Sequence, residues 1–414
     1  MMKFVDNNLD KIIKIFLVLQ PVIDCLTAFS MNFLKIDITF GVIVRILFLF
    51  LLTCYTFFNK NIPKKSKIYF CTLGLYFIFF IGNIFLLKDF SSIFYEFKNL
   101  IRCFYFPILL INLYEINKVK KLEIDSSLIR KIFYIYIALI IIPILTNTDF
   151  TGYFEGKVGS IGWFQSTNEI SAILSGLLPF ILIKDRYSLV DIIGIILTVI
   201  VLFSLGSKVT IVFLGVTLVF ALIHYFKNSK NKKKIAMIFS PIIVIGVILS
   251  CIFVPKTNFY KNIQIHLDFL GVSNIFDILK DEELIDHFIF SSRLTFLENT
   301  RNSYLESSVS EKFLGIGFIE RYGTDEVSLK TIEMDVFDIF YRSGIVGFIL
   351  YLIPVYFVLS ERRKRMSLKT KLSISIFIFI SILAGHVLTS PAVSIYLVVL
   401  ILGLVKEDGV CKQE

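Results

Sequence analysis

Asp24, Arg45, Arg102, Lys208 and His386 are the clearest ionisable side chains inside the long apolar runs of this chain. Such groups are costly in hydrocarbon and persist where they pair or act on a substrate. A polar stretch, Pro255 to Tyr341, interrupts the apolar pattern. It carries Ser291-Ser292-Arg293, Arg301, the glycine turn Gly315-Ile316-Gly317, and Glu333 and Asp335 where the apolar pattern resumes. Guanidinium and ammonium groups bind oxyanions, and a carboxylate can take the proton of a hydroxyl. These residue types, set between apolar runs, fit a site for an anionic, partly lipidic substrate. Asp335, Glu333 and Arg293 are the candidates for chemistry. Arg45, Arg102, Lys208 and Arg293 are the candidates for binding the anion. Asp24, Asn168, Glu169, Arg301 and His386 are further candidates to face the substrate.

Most of these residues also have a purely structural reading; Arg293, with no acid three or four residues away, does not pair in this way. Asp24 and Arg45 can form an ion pair between neighbouring spans. Arg102 and Lys208 can snorkel to headgroups. His386, beside Gly385, can be a satisfied helix-end residue. Ser166-Thr167-Asn168-Glu169 fits a capping box. Glu298 and Arg301, three apart, would pair on a helix face, as would Asp338 and Arg342 at i, i+4. Asp335 can be the N-cap of the helix that follows it, with Asp338 completing the box. Glu333 and Asp335, two apart, cannot share a helix face, so Glu333 must sit on non-helical backbone if both act.

The elements that must position these groups are membrane helices. Of 414 residues, 56% are hydrophobic, and the mean hydropathy is +0.78. Many runs reach the roughly 20 apolar residues a bilayer span needs, and alternating barrel strands are absent. The pattern predicts an all-α polytopic membrane protein of about twelve spans, near 11–33, 39–58, 68–87, 99–115, 128–145, 168–184, 189–205, 208–226, 234–254, 334–359, 372–388 and 391–405. The first run holds Gln20, Pro21 and Asp24 and reads as a span, not a cleaved signal. Residues 88–98 read as a short interfacial helix. Three regions follow: membrane domain 1–254, a large extracytoplasmic loop domain 255–333, and membrane domain 334–414 with a cytoplasmic tail.

Lysine and arginine distribution sets the orientation. With the N-terminus in the cytoplasm, segments 1–14, 59–67, 115–131, 184–188, 227–234, 361–371 and 406–414 hold 27 of the 43 Lys and Arg residues. The short opposite loops near 34–38, 146–167, 206–207 and 389–390 hold almost none. Both termini are then cytoplasmic, and the net charge of +10 is a topology signal with no implication of nucleic acid. Asp24, Arg45, Arg102, Lys208 and His386 all fall in the outer half of the bilayer, below the 255–333 segment. Five of the six cysteines lie in apolar runs and one in the tail, which predicts neither disulfides nor a metal cluster.

The chain resembles the O-antigen ligase and polysaccharide polymerase family of bacterial envelope glycosyltransferases. The resemblance rests on Gln20-Pro21-Val22-Ile23-Asp24, on Gly162-Trp163-Phe164-Gln165-Ser166-Thr167-Asn168-Glu169, and on Leu205-Gly206-Ser207-Lys208. It extends to Ser292-Arg293-Leu294, Gly315-Ile316-Gly317, Glu333-Met334-Asp335, Gly344-Ile345-Val346-Gly347 and Gly385-His386. The family motif usually has arginine at the position of Lys208. Ligase members place a histidine where this chain has Asp335, which favours the polymerase branch.

The resemblance implies a GT-C-like fold in the cytoplasmic membrane and action outside it on sugars carried by polyprenyl (undecaprenyl) diphosphate. It implies no cofactor, no metal and no nucleotide sugar, and points to a flippase and a chain-length regulator as partners. A sugar hydroxyl would attack an anomeric carbon, with Asp335 or Glu333 as base. Arg293, Lys208, Arg102 and Arg45 would meet the departing diphosphate. Polymerisation of repeat units into capsule, exopolysaccharide or O-antigen is the leading expectation. Ligase-type transfer to another acceptor and lipid-linked oligosaccharide transport are the alternatives.

Overall fold

The computed structural model describes residues 2–36, 39–88, 90–151, 158–184, 187–228, 253–272, 275–319, 331–361 and 366–406. The chain runs α1 (Met2–Asn32), α2 (Phe40–Phe58), α3 (Lys64–Leu87), α4 (Ser92–Lys120), α5 (Ser126–Thr146), α6 (Thr167–Leu177), α7 (Pro179–Leu182), α8 (Leu189–Ser204) and α9 (Lys208–Asn228). The polar segment contributes α10 (Asn258–Phe269), α11 (Ile275–Ile278), α12 (Glu282–Ile285), a π-helical turn Asp286–Phe290, α13 (Arg293–Glu306) and α14 (Val309–Leu314). The bundle resumes with α15 (Asp335–Ser360), α16 (Leu368–Leu383) and α17 (Pro391–Ile401).

Among the described residues, seven helices are long and apolar enough to cross a membrane: Asp6–Asn32 of α1, α2, α3, α4, α5, Lys208–Lys227 of α9, and α15. Thr167–Leu182, α8 and α17 are apolar but shorter, and α16 spans 16 residues. The expected ninth span, 234–254, lies almost wholly outside the described residues, as do the loop at 229–234, residues 362–365 and the tail from 407.

The expected interfacial helix at 88–98 does not exist as a separate element. Lys88 ends α3, and α4 runs unbroken from Ser92 through 29 residues. In its first turns Glu96 is buried in a polar contact with the segment 316–319. α4 is the hub of the bundle. In its apolar window 78% of residues are buried, against 22 to 44% in the other six long helices. The outer helices turn leucine, isoleucine and phenylalanine outward, as at Leu47, Phe50, Ile78 and Phe79, where lipid would cover them. α17 is the second hub: Ala392 to Leu400 is an unbroken buried run.

The two ends of the bundle differ. At one end, Glu361 beyond α15 gathers Lys65, Lys118 and Tyr114 from α3 and α4, and Asp6 holds Tyr55 and Lys120. There β1 (Ile124–Asp125) pairs in parallel with β2 (Val405–Lys406), fixing the α4–α5 connection to the end of the last helix. At the other end α1, the α5–α6 loop and the polar segment meet, through Phe29 against Phe150 and Trp163 and through Asn262 bonded to Val158 and Gly206.

Candidate functional site

At that second end a cavity of about 610 Å³ opens between α1, α2, α4, α6 and the α16–α17 loop, a volume in the range of small-ligand sites. Arg45, Arg102, Lys35 and Lys98 contribute four cations to its wall, with Glu169 and His386 beside them. Met31, Ile36, Val42 and Ile46 add apolar side chains to the same wall. The lining therefore combines cations with hydrocarbon, a mixture that suits an amphiphilic anion.

Arg45, on α2, is 7% exposed. It pairs with Asp24 of α1 and takes Gln20 Oε1 on Nε and Nη2 at 3.1 and 3.0 Å. The ion pair between neighbouring spans therefore forms, and it forms on the cavity wall. Arg102 is half-exposed; its Nη2 lies 3.2 Å from Glu169 Oε1, which also accepts from Ser390 Oγ at 2.7 Å. Ser166 caps α6 by accepting from the Glu169 N–H at 3.3 Å. The reciprocal half of the box is not made, because the Glu169 carboxylate is spent on Arg102 and Ser390. Asn168 does not line the cavity.

His386 joins the cavity to a second cluster. Its Nε2 is 3.5 Å from Glu333 Oε1 and has no hydrogen-bond partner among the described residues. Glu333 Oε2 accepts from Arg293 Nη2 at 2.7 Å. Arg293 opens α13, is 8% exposed, and gives Nη1 to the Phe290 carbonyl at 3.2 Å, while its buried Nε has no partner among the described residues. Burial pushes the Glu333 carboxyl up, but the neighbouring His386 and the paired Arg293 outweigh it and hold the group at about 2. Glu333 lies on non-helical backbone, as its spacing from Asp335 requires, with φ +60.

Four of the seven described non-glycine residues with positive φ are Ser291, Ser292, Glu333 and His386. Strained backbone persists where the surroundings over-determine it, and it gathers here. Gly385 has φ +64, and a Cβ on it would sit 2.6 Å from the Glu333 carbonyl oxygen. Only glycine lets the two loops touch.

Asp335 has a different task from Glu333. It is 1% exposed. Its carboxylate accepts from the N–H groups of His386, Val387 and Leu388 at 3.0, 2.9 and 2.8 Å and from Thr389 Oγ1 at 2.6 Å. It does not cap its own helix: Met334 occupies the N-cap and makes no side-chain bond. Asp335 instead holds the whole α16–α17 loop, and with it His386, against the start of α15. Asp338 supplies the local cap, accepting from the N–H groups of Ile332 and Glu333 at 3.1 and 2.9 Å, and pairs with Arg342 at 3.1 Å as its i, i+4 spacing predicts.

Two more candidate cations, like Arg293, lie off the cavity wall. Lys208, at the start of α9, is drawn to the polar segment: Nζ donates to the Phe288 carbonyl, lies 3.2 Å from His266 Nδ1, and sits 3.9 Å from the Phe288 ring centroid. It tethers the π-helical turn that leads to Arg293 and does not line the cavity. Arg301 is exposed on α13, also away from the cavity.

Sequence reasoning passed over three residues. Asp286 caps α13 from eight and nine residues away, accepting from the N–H groups of Leu294 and Thr295 and from Thr295 Oγ1. Lys88 and Glu96 form a buried pair at 2.6 Å. Lys88 Nζ donates to the carbonyls of Ile316 and Ile319, and the Glu96 carboxylate accepts from the N–H groups of Phe318 and Ile319. The pair grips the chain just after the glycine turn. Its only sequence signal is two opposite charges at the junction of two apolar runs.

A model of the O-antigen ligase-like membrane protein family matches residues 6–274 and 272–407. No curated protein and no solved structure matches the chain. The matched ranges take in the cavity, Arg293, Glu333 and the α16–α17 loop, and the chain belongs to the O-antigen ligase-like membrane proteins, a multi-pass family of envelope glycan transfer.

Proposed function

We propose that this protein polymerises polyprenyl-diphosphate-linked oligosaccharide repeat units on the outer face of the cytoplasmic membrane. The observation that carries the reading is the cavity lined by four cations and by apolar side chains, joined through His386 to the Glu333–Arg293 pair. The diphosphate of the donor would rest on Arg45 and Arg102, with Lys35 and Lys98 at hand, and its prenyl chain against Met31, Ile36, Val42 and Ile46. A hydroxyl of the acceptor sugar attacks the anomeric carbon, the bond from that carbon to the diphosphate oxygen breaks, and the hydroxyl proton passes to a base. The negative charge growing on the leaving diphosphate is stabilised by cations fixed in advance.

Glu333 is the base we assign, ahead of Asp335, whose two oxygens are already occupied by four donors. With Arg293 and His386 against it, Glu333 is too acidic to accept a proton readily. His386 lines the cavity and faces Glu333; an incoming diphosphate competes for it, and the carboxylate gains basicity as the imidazole turns to the substrate. Binding of the donor thus prepares the base. Lys208 and Asp286 serve this cluster by fixing the start of α13.

The outward orientation of the 255–333 segment belongs to the proposal and rests on the lysine-rich loops at the opposite end. An impermeant thiol reagent on intact cells should label Lys280→Cys and not Lys60→Cys in a cysteine-free background; the reverse pattern refutes it. The reaction is tested with purified protein and lipid-linked repeat units. Products of two and more repeats support a polymerase. Transfer only to a different acceptor places the chain with the ligases, and no transfer to any acceptor refutes the reading.

A further inference from the structure

We propose that Gln20, Asp24 and Tyr136 are positioning residues that hold Arg45 so that a single nitrogen, Nη1, meets an anionic oxygen of the substrate; this rests on the donor-site reading above. A guanidinium has five N–H donors in a rigid fork. In Arg45 one edge of that fork is fully engaged. Gln20 Oε1 accepts from both Nε and Nη2, and Asp24 accepts from Nη2 as well. Nη1 has no acceptor among the described residues, although Arg45 lies on the wall of the cavity. A guanidinium kept only for packing would be expected to spend its buried donors on protein acceptors.

The acceptors are themselves fixed. Gln20 is fully buried, and its Nε2 donates to the Phe16 carbonyl at 3.3 Å, which leaves Oε1 to face Arg45. Tyr136 is fully buried and donates to Asp24 Oδ2 at 2.8 Å. Because that hydroxyl proton is committed to Asp24, Tyr396, 3.2 Å away, must donate to Tyr136. A relay of two hydroxyls thus orients Asp24 from the side away from the cavity. Gly41 completes the arrangement. A Cβ there would lie 2.0 Å from Thr27 Oγ1 and 3.1 Å from Arg45 Nη1. The bare backbone lets α1 and α2 approach and leaves the approach to Nη1 open.

The consequence is directional. Asp24 neutralises Arg45 in charge, yet the geometry reserves one donor for the substrate. The contact is then made by an oriented hydrogen bond more than by net charge. Lysine at this position would keep a charge and lose the fork. It would have nothing for Gln20 to orient.

The test is a double-mutant cycle on the full chain in nanodiscs, read as the Kd for polyprenyl diphosphate and as KM and kcat for elongation. Gln20→Met is expected to raise Kd and KM about tenfold, the scale of one charged hydrogen bond, and to leave kcat within about threefold. Tyr136→Phe, which changes little shape, is expected to raise both about threefold by the same route. In an Arg45→Lys background Gln20→Met should change Kd by less than about twofold, because residues acting through one partner are not additive. Equal effects of Gln20→Met in both backgrounds would make Gln20 a packing residue and overturn the inference, as would wild-type affinity in Arg45→Lys. The binding arm needs no turnover. Failure of elongation by the unaltered protein would strike the polymerase reading, while loss of the coupling in Kd would strike this one.

Discussion

Replacing Glu333 with glutamine separates its chemical role from its structural one. The amide has nearly the same shape, and its oxygen can still accept from Arg293, now 2.7 Å from Oε2. What disappears is the charge. The Glu333 side chain is 34% exposed, so solvent screens much of the pair, and the loss in stability should be about 1 kcal/mol. A general base contributes roughly 10²- to 10⁴-fold in rate, and a thousandfold loss corresponds to about 4 kcal/mol in the barrier. Elongation of lipid-linked repeat units should therefore fall about a thousandfold while the thermal midpoint moves little. A second reading comes from pH. The carboxyl is held at about 2 against an ordinary 4.5, so its contribution to stability is complete above about 4.5 and is lost as pH falls toward 2. The Glu333→Gln protein should lack that acid-side loss. Elongation by Glu333→Gln within about threefold of the parent protein would remove Glu333 as the base and refute the assignment.

Arg293→Ala should abolish elongation with near-normal protein levels, and Arg293→Lys should recover little, because Nη1 and Nη2 make separate contacts with Phe290 and Glu333; normal product length from Arg293→Ala would remove it from the site. Asp335→Asn should lose elongation through the loop, since an amide nitrogen must face N–H donors and at least one charged hydrogen bond, about 1.5–3 kcal/mol, is forfeited. Hydrogen exchange at 386–389 should rise in that variant, and unchanged protection there would show that Asp335 does not hold the loop. Lys88→Met should destabilise the protein by about 3–5 kcal/mol, because it strands the buried Glu96 charge. Adding Glu96→Gln should recover part of that loss, and an unaltered thermal midpoint in Lys88→Met would refute the clamp.

Membrane residence, the helical pattern and the loop charges were all written locally in the sequence, as hydropathy and composition over windows of about a span's length. So were contacts within a helical turn: Asp338 with Arg342, and Ser166 with the N–H of Glu169. The Asp24–Arg45 pair was legible because two neighbouring spans each carried one costly charge at matching depth. The division of labour among the carboxylates was not. Glu333 and Asp335 differ by two positions, yet one faces Arg293 forty residues away and the other closes a loop fifty-one to fifty-four residues away. Lys208 looked like an anion ligand until its carbonyl partner eighty residues on was seen, and Lys88 gave no sign of its partner 228 residues on. Backbone N–H and C=O groups have the same chemistry in every residue, so the sequence does not mark which will receive a distant side chain. Only the packed bundle decides that, by bringing loops together and leaving each buried charge the partners within reach.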